Sequence, residues 1–120
     1  MNENSLPWSE LLEQIPDCGN AGAVDTRRSA QMNMTIAAST AETSTLRAPD
    51  RAGQLLLLVA GTVGGSGTRA ITASAAINQA GNNVMTFNAA RDYILLVGAK
   101  VAGTGRWLVV ANDGVALSTV

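Results

Sequence analysis

A chain of 120 residues with a formal net charge of −1 is sized for one domain that hides roughly two thirds of its unfolded surface. Its seven Arg and one Lys are scattered from Arg27 to Arg106, which excludes the basic run that binds nucleic acid or anionic lipid. Having no histidine and a single cysteine, Cys18, it lacks the parts for Ser-His-Asp or Cys-His catalysis, for most zinc sites and for an intrachain disulfide.

At the N-terminus, Asn2, Glu3 and Asn4 stand where a secretory leader carries positive charge. The longest strictly apolar run, Leu55 to Ala60, is too short for a membrane helix. The expectation is a soluble protein made inside a cell. Ser5 to Ile15 predicts a short amphipathic helix. Trp8, Leu11, Leu12 and Ile15 fall on one stripe, Ser5 serves as N-cap, Pro7 suits the first turn and Pro16 ends it. Such a helix must dock, either on its own domain or on a partner. Asp17 to Asp25 reads as a flexible linker, so residues 1–26 are expected to form an arm and residues 27–120 a β domain.

From Arg27 onward the signals are those of strands. Gln31 to Ile36 alternates, which puts Met32, Met34 and Ile36 on one face. Glu42 to Leu46 is Thr-rich and ends before Pro49. Leu55 to Val59 and Tyr93 to Val97 are apolar on both faces, Arg69 to Ile77 alternates weakly, and Val84 to Phe87 is short. Arg106 to Val110 follows a Gly-containing loop, and Asn112-Asp113-Gly114 predicts a tight hairpin with Val115 to Val120 as the returning strand. A shift of 38 residues aligns Leu57-Leu58-Val59 with Leu95-Leu96-Val97 and Val63 to Gly67 with Val101 to Gly105. That near-repeat predicts two equivalent hairpins. The expected fold is all-β, a small antiparallel sandwich or barrel-like module with a short N-terminal helix or arm.

The two doubly apolar strands carry the main inference. A two-layer β domain leaves one face of each sheet wet, which writes alternation into its strands. Leu55 to Val59 and Tyr93 to Val97 do not alternate, so their second face needs cover from another subunit or a loop. Leu55, Leu57, Val59, Ile94 and Leu96 are the expected contacts between copies, and Trp8, Leu11, Leu12 and Ile15 the expected docking residues on a partner.

No constellation for chemistry emerges beside this. Gly61 to Thr68 is rich in glycine but has neither the Lys nor the following helix of a phosphate loop; a flexible hairpin loop is expected. Asp50, Asp92 and Asp113 sit at turns and are assigned turn or capping roles. Cys18 has no base partner. Asn33-Met34-Thr35 fits a glycosylation pattern that means nothing without a leader. Trp107, in an apolar strand, is expected in the core. The chain is expected to be no enzyme, with no catalytic residue, cofactor or metal.

Leu55 to Ala60, Gly64-Gly65-Ser66-Gly67, Tyr93 to Val97, Arg106-Trp107 and Val110 to Val115 together resemble the small head decoration, or cement, proteins of tailed bacteriophages, over about residues 54 to 120. The resemblance implies a β-rich homotrimer made in the host cytoplasm, bound to the outer surface of the virion head. There it would hold the major capsid protein against internal pressure, with no nucleic acid or membrane as partner. Similar modules occur in tail fibres and spikes, so binding of a host surface glycan is the alternative.

Overall fold

The structure, a computed structural model, describes residues 12–120. It is all-β, and the described residues include no helix. Nine strands form two sheets: β1 (Glu13–Ile15), β2 (Ala30–Ile36), β4 (Leu55–Val63), β7 (Tyr93–Val101) and β8 (Thr104–Asp113) in that order in one, and β3 (Ala41–Leu46), β5 (Thr68–Ala73), β6 (Val84–Phe87) and β9 (Ala116–Ser118) in the other. Both sheets are mixed rather than antiparallel. β1, β2 and β4 run parallel, as do β3 and β5, while the remaining pairs are antiparallel. The reason lies in the course of the chain, which crosses from the first sheet to the second after β2 and again after β4. Successive passes through one sheet therefore point the same way.

The alternation in β2 does what period-2 patterning requires. Met32, Met34 and Ile36 face inward and are buried, as expected, while Asn33 and Thr35 are exposed. Facing them across the sandwich are Leu46, Ile71, Met85 and Phe87 of the second sheet, joined in one apolar cluster with Leu56, Leu58, Ile94, Leu96 and Trp107. Trp107 is core, and its Nε1 donates to the Arg47 carbonyl at 2.8 Å.

Three expectations about the chain path are corrected. Glu13–Ile15 is a strand: Glu13 pairs with Ala30 and Ile15 with Met32, and Ile15 enters the core. The backbone hydrogen bonds and the apolar side chain this short segment needs are supplied by the β2 edge, and tertiary pairing overrides helical periodicity. The Ser5–Leu11 part of that expected helix lies outside the described residues. Asp17 to Asp25 is not a loose linker, because Ala21 N–H donates to the Thr43 carbonyl, Val24 N–H to the Thr45 carbonyl, and Val24 is buried. Residues 12–26 thus belong to the β domain. Thirdly, the near-repeat is not two hairpins. β7 and β8 do form one, turning at Ala102 (φ 53°) and Gly103 (φ 81°), but β4 and β5 lie in different sheets. Asn112-Asp113-Gly114 likewise turns at Gly114 (φ 85°) and delivers the chain to the second sheet, where β9 pairs with β6.

The glycine-rich loop is packed rather than free. Gly64 N–H donates to the Ile36 carbonyl and Thr68 N–H to the Thr40 carbonyl, so the arch after β4 stacks on the arch after β2. A Cβ on Gly67 would sit 2.1 Å from the Ala37 carbonyl oxygen, a contact no side-chain rotation relieves. Gly67→Ala is therefore expected to cost about 3 kcal/mol, read as a lowered urea midpoint. An unchanged midpoint would refute the stacked arches.

Candidate assembly surface

The outward face of the five-stranded sheet carries the feature that the sequence singles out. In β4, Leu56, Leu58 and Ala60 point into the core, so Leu55, Leu57 and Val59 point out. The antiparallel register places Val97, Leu95 and Tyr93 directly opposite them, and β8 adds Leu108 beside Val97 and Ala111 beside Leu95. One row runs straight across four strands: Gln31, Leu57, Leu95, Ala111. Cross-strand neighbours shelter these side chains only in part. Leu55, Leu57, Val59, Leu95 and Val97 are half-buried, and Tyr93 is 37% exposed.

Two concavities lie on this face. The first, about 440 Å³, is lined by Leu12, Gln31, Leu57, Tyr93, Leu95 and Ala111. A second, about 490 Å³, is lined by Leu57, Val59, Arg91, Tyr93 and Asp113. Both are predominantly apolar, and the charges at the border of the second are of opposite sign. Arg91 holds a left-handed backbone (φ 75°) in a turn fastened by Asp92. The Asp92 Oδ2 accepts from the N–H groups of Asn88 and Ala89, and Arg91 N–H donates to the Ala60 carbonyl. A turn role for Asp92 is thereby observed.

The expected contact residues divide. Leu55, Leu57 and Val59 lie on the outer face, whereas Ile94 and Leu96 are fully buried between the sheets and cannot meet a partner there. Tyr93, Leu95 and Val97 take their place. Of the expected docking residues, Ile15 is in the core, Leu12 is 5% exposed and turned toward the outer groove, and Trp8 and Leu11 lie outside the described residues. Ile15 is thus corrected from a docking residue to a core residue, because pairing with β2 sets its side chain beside Met32.

A buried ionic cluster at one end of the sandwich was not anticipated. Arg69, 1% exposed, reaches inward from β5. Its Nε and Nη2 donate to Glu42 Oε1 at 2.9 and 2.6 Å, and its Nη1 is paired with Asp17 Oδ1. Asp17 Oδ2 also accepts from Thr35 N–H at 3.0 Å. Burial works against the Asp17 charge, but the Arg69 guanidinium and the N–H groups of Gly19 and Thr35 outweigh it and hold the carboxyl below its usual range. The hydrogen bonds from Arg69 lower Glu42 likewise. The cluster joins the strand edge after β1 to β3 and β5, so it is a clasp between passes of the chain. At the opposite end, buried Gln54 donates through Nε2 to the Thr26 and Arg28 carbonyls and accepts from Asp50 N–H.

Among the described residues no group of three or more His, Cys, Asp or Glu is placed to hold a metal ion, and no helix is long and apolar enough to cross a membrane. Cys18 is half-buried against the core. Comparison with protein-family models, curated proteins and solved structures gives no match.

Proposed function

We propose that this chain is a structural virion protein, a decoration or cement protein that coats the outer surface of a tailed-phage head as a homo-oligomer. The observation that carries the reading is the apolar outer face of the five-stranded sheet. Rows built from Leu55, Leu57 and Val59, from Tyr93, Leu95 and Val97, and from Leu108 and Ala111 stand half-covered on a rigid, hydrogen-bonded support. A surface of this kind marks an interface.

The partner on this face is a second copy of the chain. The rows contain no charge, and the border residues Arg91 and Asp113 have opposite signs, so like surfaces meet without repulsion. The resemblance to phage cement proteins supplies the trimer and the major capsid protein as its target. Three linked copies then bind a lattice by avidity, because the second and third contacts are intramolecular.

Co-sedimentation of the purified protein with emptied, expanded heads tests the reading. Saturable binding that raises the temperature at which the heads rupture is expected. Absence from the head pellet, together with specific retention on a glycan array, would move the protein to a fibre or spike.

A further inference from the structure

The fold gathers cations that the sequence scatters: we propose that the end of the sandwich where β2 and β4 begin and β7 finishes is a basic docking end that seats on an acidic protein surface. On the decoration reading, on which this rests, that surface belongs to the major capsid protein, and this end of the sandwich faces the head.

Backbone contacts build the end. Gln54 Nε2 donates to the Thr26 and Arg28 carbonyls and its Oε1 accepts from Asp50 N–H, so the turn before β2 meets the turn before β4. The second turn lies against the β7–β8 hairpin, because Gly53 N–H donates to the Gly98 carbonyl and Trp107 Nε1 to the Arg47 carbonyl. In that hairpin Lys100 pairs with Gly105 and Arg106 with Ala99. Six of the 8 cationic side chains therefore stand at one end: Arg27, Arg28, Arg47, Arg51, Lys100 and Arg106. At the other end are Arg69, held in its clasp, and Arg91, whose N–H donates to the Ala60 carbonyl.

Most of this charge is unspent. Arg27 and Arg28 are paired with Asp25 and Glu13 at 2.8 and 2.9 Å, whereas Arg47, Arg51, Lys100 and Arg106 have no ion-pair partner among the described residues. Arg47, Arg51 and Lys100 are exposed, and the half-buried Arg106 has a buried Nε without a hydrogen-bond partner among those residues. Of the described carboxylates at this end, Asp50 alone lies outside the pairs. Such an imbalance fits a surface of opposite sign. A second copy does not supply it, since its opposite end holds Asp17 and Glu42 on Arg69 and sets Arg91 against Asp113.

The mixture of signs selects the class of partner. A nucleic acid presents phosphate at every step and bases for stacking. Glu13, Asp25 and Asp50 interrupt the basic end, Trp107 and Phe87 are core, and Tyr93 lies at the far end of β4, opposite Val59. A protein surface can set its own cations against those carboxylates. Arg106 also stands two residues from Leu108 on the same side of β8, so the end adjoins the apolar face without occupying it.

Head co-sedimentation across NaCl from about 50 to 500 mM tests the end, because screening weakens exposed charge pairs. Binding by the parent should weaken steadily with salt, and Arg47→Gln with Arg51→Gln should weaken it about tenfold at low salt. Ala41→Glu with Ser66→Glu, at exposed positions of the opposite end, changes the net charge equally and should leave binding as in the parent. Near-UV circular dichroism of Trp107 reports that each variant is folded. Head binding indifferent to salt, or altered equally by both variants, would overturn the basic end and leave the decoration reading intact. Poly-L-glutamate reads the end without heads: retention of the parent, reduced in the Arg47 and Arg51 variant, is expected. A parent that binds neither heads nor poly-L-glutamate, or that binds duplex DNA more tightly than poly-L-glutamate, would overturn the proposal. Absence from heads with retention on poly-L-glutamate would instead support the basic end and move its acidic partner away from the capsid.

Discussion

In the proposed homo-oligomer, replacing Leu95 with Lys is expected to leave single folded chains. Leu95 stands at the centre of the outer row, opposite Leu57 on one side and Ala111 on the other. Its side chain points away from the core, so the sandwich retains Ile94 and Leu96 and keeps its fold. In an interface between copies, however, the ammonium would be desolvated with no carboxylate facing it. That penalty is about 3 kcal/mol or more, at least a hundredfold in the association constant. Sedimentation velocity reads the mass, and near-UV circular dichroism confirms native packing around Trp107. A Leu95→Lys protein that associates as tightly as the parent would remove this face from the assembly.

The second large effect concerns the ionic clasp. Arg69→Met fills much of the same volume but strands the Asp17 and Glu42 carboxylates without their cation. Removing one partner from a buried ionic cluster costs about 3–5 kcal/mol at neutral pH. The pH dependence discriminates this from a packing defect. In the parent both carboxyls titrate below their ordinary values of 3.8 and 4.5, so their contribution is complete above those values and is lost as pH falls through the lowered folded ones. Without Arg69, burial and mutual repulsion raise the same carboxyls, the folded state binds protons more readily than the unfolded, and stability rises as pH falls from neutral toward about 5. Urea titrations across that range should show a cluster contribution that stays level in the parent, falling only once pH drops below the ordinary carboxyl values, and a stability that rises toward about pH 5 in Arg69→Met. Parallel curves would show that the cluster contributes only its shape.

Much of the strand content is legible in the sequence because it follows from side-chain alternation. Gln31 to Ile36 announces β2, Glu42 to Leu46 announces β3, and the leucine runs announce β4 and β7. The face each residue takes is another matter. Where both faces are apolar, alternation says that Leu95 and Val97 share a side but not which side, and a one-residue change of register inverts the answer. Ile94 and Leu96 are therefore expected outside and found inside, while Leu55, Leu57 and Val59 lie on the outer face. Cross-strand pairing with β4 decides this, and pairing is not a local property.

The turns show the same division. Gly64 to Gly67 and Gly114 are recognisable as reversals, since glycine permits close approach and positive φ. Whether the chain returns along its own sheet or crosses to the facing one depends on what stacks beneath it, here Ala37 and Ala38 under Gly67 and Gly64. Glu13 to Ile15 is a case where two periods fit so short a stretch. Leu12 and Ile15 satisfy a helical stripe, yet the free edge of β2 offers three parallel pairs. The Asp17, Glu42 and Arg69 cluster leaves no local trace, because each member arrives on a different pass of the chain and the parallel stacking alone brings them together.

The measurement that reaches the centre of this account is the solution mass of the full chain by light scattering over a wide concentration range. A stable multiple of the single-chain mass, reduced to one copy by Leu95→Lys with the fold intact, is the predicted result. A folded protein that remains one chain at the highest concentrations, with Leu57 and Leu95 sheltered entirely by its own residues, would contradict it.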